Sequence, residues 1–90
     1  MNAYVEVHDQ TGTDYYYASL EIKGQRLSVQ RHQGLYKVRE KELSLTGIHN
    51  LAVNGSEDRQ IKFSYGKDTF TFFDSGNNVV GYLYHQLFTA

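Results

Sequence analysis

A chain of 90 residues has room for one domain, and a domain that small hides only roughly 60–65% of its unfolded surface, so nearly every large apolar residue is needed in the core. Its 40% hydrophobic and 14% aromatic content lies outside the disordered range, and the absence of cysteine excludes disulfides, thiolate catalysis and the common zinc sites. A net charge of -1 gives no overall pull toward nucleic acid or acidic membrane; with no apolar run near the roughly 20 residues of a membrane span, and no leader pattern, the expected location is cytoplasmic.

The chain lacks proline and has no linker-like or low-complexity stretch, so residues 1–90 read as a single domain. Short alternating segments recur every 8 to 12 residues between glycine-containing turns, the pattern of a small all-β sandwich or barrel. The first is Ala3, Val5 and Val7; the second is Tyr16, Ala18, Leu20 and Ile22. Leu27 and Val29 follow, then Tyr36 and Val38, then Leu43 and Leu45. The apolar parity changes between Val38 and Leu43, which predicts a bulge or short turn within "REKE", because period-2 pairing cannot keep one face buried through such a shift. "TGIHN" breaks the phase again before Leu51 and Val53.

Two turns are specified closely enough to predict their register. A two-residue type II′ hairpin takes glycine at its first central position. Placing Gly24-Gln25 there sets Ile22 opposite Leu27 and Leu20 opposite Val29. Placing Gly66-Lys67 there sets Phe63 opposite Phe70 and Ile61 opposite Phe72. Asn54-Gly55 opens a third, longer turn.

After Phe73, a cluster of N-cap residues from Asp74 to Asn78 precedes Val80, Leu83, Tyr84 and Leu87 at helical spacing, widened by Val79 and Phe88. The predicted helix has about three turns and is unstable alone, so it must dock on the sheet, with Phe63, Phe70 and Phe72 as its floor. Its polar face carries no lysine or arginine, which argues for core packing over a membrane-surface role.

The predicted fold is therefore mainly β: about seven antiparallel strands in a bent sandwich or barrel, capped by one C-terminal amphipathic helix. This arrangement resembles the pleckstrin-homology-like superfold. "IKGQRLSVQR" is similar to a strand of small bacterial PH-like and GRAM-like proteins, "ELSLTGIHNLAV" to the strand, turn and strand that follow, and "IKFSYGKDTFTFFD" with the helix to their closing elements. The resemblance spans about residues 14 to 88 and transfers no binding residue. PH-like folds serve as lipid, peptide and oligomerisation modules alike; together with the missing catalytic motifs and the tyrosines expected on the surface, the resemblance points to a non-enzymatic interaction module that acts through protein contact or homo-oligomerisation.

Charge distribution supplies a rival. Residues 23 to 41 hold Lys23, Arg26, Arg31, Lys37, Arg39 and Lys41 against Glu40, a local +5 in a chain whose remainder is -6. Alternation predicts an outward face carrying Tyr15, Tyr17, Arg26, Lys37, Arg39 and Lys41. Basic side chains beside tyrosines suit a phosphorylated lipid headgroup or nucleic acid; they equally suit a solvated sheet with cross-strand Tyr and Arg packing. The four histidines lack helical zinc spacing and no nucleophile elbow or phosphate loop is present, so neither a cofactor, a metal nor catalysis is expected. The carboxylates of "DQTGTD" and "GSED" read as turn formers.

Overall fold

The computed structural model describes residues 2–33, 36–54, 60–74 and 79–88, with the backbone alone at 32, 33, 36–40, 54 and 88. Seven strands form one curled half-barrel sheet: β1 (Asn2–Asp9), β2 (Gly12–Lys23), β3 (Arg26–Gln33), β4 (Tyr36–Ser44), β5 (Ile48–Asn54), β6 (Gln60–Tyr65) and β7 (Asp68–Phe73). The spatial order is β4-β3-β2-β1-β7-β6-β5, antiparallel throughout. β1 is thus the central strand, and β4 and β5, adjacent in sequence, are the two edges.

Both glycine hairpins have the predicted register. Gly24 has φ 64 and Gly66 has φ 62, whereas among described non-glycine residues positive φ occurs at Asn50 alone, so each turn has the glycine-first form. Leu20 faces Val29, Ile22 faces Leu27, Ile61 faces Phe72 and Phe63 faces Phe70. The Asn54-Gly55 turn lies outside the described residues, as do the N-cap residues at 75–78.

The concave side of the sheet holds the core. Ala3, Val5, Val7, Ala18, Leu20, Leu27, Val29, Leu43, Ile61, Phe63, Phe70 and Phe72 are buried there. The helix α1 (Val79–Phe88) packs on β6 and β7 and adds Val79, Val80 and Leu83. Its buried stripe keeps the predicted Val79, Val80, Leu83 and, in part, Leu87, but differs at one position: Tyr84 is 46% exposed, whereas Tyr82 packs partly against the core. A tyrosine tolerates either setting because its ring is apolar and its tip polar, so spacing alone did not separate the two.

The two phase breaks are where the alternation failed. The β3–β4 register shifts between Gln30 and His32, opposite Lys37 to Glu40, at the N-terminal side of the "REKE" stretch. At "TGIHN", Thr46 and Gly47 complete a 3-10 turn over Leu45–Gly47, and a second register shift follows between His49 and Ala52 with Asn50 at φ 55. Across this corner the Ser44 amide donates to the Tyr65 hydroxyl at 3.1 Å and the Leu45 amide to the Gln25 carbonyl at 2.8 Å, which tie the end of β4 to β6 and to the β2–β3 turn.

Candidate interaction surface

The convex side of β1, β2 and β7 carries an aromatic cluster. Alternation that buries Ala3, Val5 and Val7 turns Tyr4 outward, and the β1–β2 register sets Tyr4 opposite Tyr17 and Glu6 opposite Tyr15. Tyr4, Tyr15 and Tyr17 are 42%, 56% and 37% exposed. The Tyr4 and Tyr15 rings stack at 5.5 Å with planes 7° apart; Tyr17 tilts against Tyr4 at 4.8 Å; Phe73, opposite Tyr4 on β7, meets Tyr15 edge-on at 5.8 Å.

This geometry decides what the cluster can contact. Stacking covers one face each of Tyr4 and Tyr15, and Tyr17 and Phe73 pack against the same pair. Stacking of nucleic-acid bases needs an open face, and one face of each of Tyr4 and Tyr15 is already used within the cluster. Upright tyrosines instead offer rigid amphipathic contact at low entropic cost, as in protein interfaces. Beside them, His8 places Nε2 2.9 Å from Glu6 Oε1 and Nδ1 2.8 Å from the Thr13 hydroxyl, a polar border to the patch.

Of the residues expected to line an outward site, Tyr15 and Tyr17 are on this face. Tyr4 and Phe73 were missed; only the cross-strand register reveals that they join it. Arg26 is exposed but stands at the far end of β2–β3, opposite Lys23, six residues along β2 from Tyr17 or roughly 20 Å. Its Nη1 lies 3.4 Å from Glu42 Oε1. Lys37 and Arg39 belong to β4, and their side chains lie outside the described residues. Lys41 corrects the expectation: it pairs with Val29 beside buried Leu43, on the concave side, with Nζ 5.5 Å from the Phe70 ring centroid. The physical reason is the β3–β4 bulge. One extra residue between Lys37 and Glu40 removes Lys41 from the parity on which the outward reading counted.

Lys41 instead lines a small mouth of the half-barrel with Val7, Asp9, Asp14, Tyr16 and Arg31, around a cavity of about 80 Å³. That is space for two or three waters. Arg31 is committed within it: Nη1 is 2.7 Å from Asp14 Oδ2 and the guanidinium lies 4.8 Å over the Tyr16 ring. Burial, with help from the Asp14 charge, pushes the Tyr16 phenol above its usual range against the opposing pull of Arg31. Asp9 Oδ1 accepts from the Thr11 hydroxyl (2.7 Å), the Thr11 amide (2.8 Å) and the Gly12 amide (3.0 Å), the Asx turn expected of "DQTGTD". Those bonds, led by the Thr11 hydroxyl, hold the Asp9 carboxyl below the ordinary carboxylate range. Asp14, by contrast, serves the ion pair rather than a turn, and "GSED" lies outside the described residues.

Among the described residues no three histidines or carboxylates converge as a metal-binding group, and no helix is long and apolar enough to cross a membrane. No model of a known protein family matches the chain, and no curated protein matches it significantly.

Proposed function

We propose that this chain is a non-enzymatic interaction module that docks a protein surface on the convex face of β1, β2 and β7. The observation that carries this reading is the contiguous tyrosine cluster, Tyr4, Tyr15 and Tyr17, exposed on the sheet face opposite the one that holds the core. Polar and apolar contact from the same rigid side chain is what a protein partner rewards. The curled seven-stranded sheet with one C-terminal helix is compatible with a PH-like fold, whose members serve widely as docking modules.

The anionic-ligand reading has weaker support. Its basic face is dispersed: Lys41 is on the concave side, Arg31 is held by Asp14, and Arg26 lies near Glu42. The non-enzymatic part leans on the carboxylates at the mouth: Asp14 is paired with Arg31, and Asp9 accepts three hydrogen bonds within its own turn.

The test compares the wild type with a Tyr4→Ser, Tyr15→Ser double variant as bait in native lysate, after circular dichroism has shown equal folding. A protein retained by the wild type and lost from the variant is the expected result. Equal retention by both, or none by either, overturns the proposal.

A further inference from the structure

The two edges of the half-barrel differ in a way that bears on self-association, independently of the tyrosine face. An exposed strand edge is a template for pairing with another chain, and charges along it are the usual guard. β4 has that guard. Antiparallel strands related by a two-fold axis place residues of the same face opposite each other, so a symmetric register centres on one residue. Centred on Lys41, it sets Lys41 against Lys41 and Glu40 against Glu42; centred on Glu42 or Glu40, it sets a glutamate against itself. Like charges directly opposite destabilise a pair.

β5 lacks such a guard. "IHNLAVN" contains no aspartate, glutamate, lysine or arginine. Asn50, at φ 55 where the β5–β6 register shifts, confines the regular edge to the residues after it. There Val53 pairs with Ile61 on the concave side yet is 40% exposed, Leu51 packs partly on the core, and Ala52, opposite Lys62, is exposed on the convex side. A register centred on Ala52 sets Ala52 against Ala52, and Leu51 against Val53 twice over. Every described side chain then meets one of its own kind.

We infer that the β5 edge pairs antiparallel with β5 of a second copy, centred on Ala52, to give a two-fold dimer with a continuous fourteen-stranded sheet. The occupant is a second copy because the register is self-complementary in face, size and charge, whereas the registers of β4 centred on residues 40 to 42 are not. The interface is isologous and closed, so assembly stops at two.

The cysteine-free chain allows a direct test. In this register the two Ala52 Cα atoms stand about 4.5–5.5 Å apart, within the span of a disulfide. Ala52→Cys should therefore crosslink to a dimer under mild oxidation, on non-reducing gels and by mass. Val53→Cys should not, because its two copies would be roughly 8 Å apart, diagonal across the pair. In light scattering over roughly a hundredfold range of concentration, the wild type should reach twice the monomer mass, and Ala52→Lys should stay at monomer mass and melt as the wild type does at the dilute end of that range. A wild type that stays monomeric, or a dimer that Ala52→Cys leaves unlinked, overturns the inference. The Tyr4→Ser, Tyr15→Ser variant should dimerise as the wild type does, so loss of partner docking and loss of the dimer are separate results.

Discussion

Single residues in this chain are fixed by what surrounds them rather than by their type, and the two aspartates of "DQTGTD" illustrate the point. Asp9 closes a turn through three hydrogen bonds, whereas Asp14, five residues on, reaches from β2 to Arg31 on β3. A carboxyl whose folded pKa is depressed stabilises the fold above its unfolded value, and that contribution is lost as pH falls through the folded value. For Asp9 the loss therefore begins below the ordinary value of 3.8 and continues to lower pH. Asp9→Asn keeps an acceptor for Thr11 and Gly12 but has no proton to gain. Denaturant midpoints of the two proteins measured from pH 6 to pH 2 should run parallel down to about pH 4 and then converge, as the wild type alone loses its charged acceptor. Parallel lines throughout would remove Asp9 from the acid transition.

Among the elements, the corner between β4 and β5 depends on one ring. Tyr65 accepts the Ser44 amide, and a Cβ at Gly47 would come within 2.8 Å of Tyr65 Cε1, so the 3-10 turn lies flat against that ring only while residue 47 is glycine. Gly47→Ala should cost about 1–3 kcal/mol, because Tyr65 must move and release Ser44; Tyr65→Phe should cost about 0.5–1.5 kcal/mol, for the hydrogen bond alone. Urea melts of the two variants check the order, and a Tyr65→Phe loss equal to or above that of Gly47→Ala would contradict it. The helix is a separate unit of stability. Leu83 is fully buried between α1 and the sheet, so Leu83→Ala should cost about 2–5 kcal/mol. A loss under about 0.5 kcal/mol in the same assay would mean that the helix contributes little docking energy.

At the scale of the whole molecule, what was legible in the sequence was local. Gly24 and Gly66 each fixed a turn, and a turn fixes the register of its two strands, so four apolar cross-strand pairs could be read directly. Strand order was not legible, because period-2 alternation says which face a residue takes and not which strand lies beside it. That β1 lies between β2 and β7 brings Tyr4 to Phe73 across almost the whole chain, and no local pattern encodes it. Nor could the position of the β3–β4 bulge be read to the residue, and an error of one or two residues there moves Lys41 from one face of the sheet to the other. This has a consequence for function. The local +5 of residues 23 to 41 is a property of the sequence, whereas attraction to a phosphate surface needs the charges on one face and unpaired. With Lys41 turned inward and Arg31 held at 2.7 Å by Asp14, that condition fails for at least two of the six bases. The protein should therefore show no salt-sensitive binding to vesicles rich in anionic phospholipid or to single-stranded RNA at low ionic strength, and Lys37→Glu with Arg39→Glu should leave that null result unchanged. Binding by the wild type that weakens steeply with salt and disappears in the double variant would return the basic segment to the centre of the function and displace the tyrosine face from it.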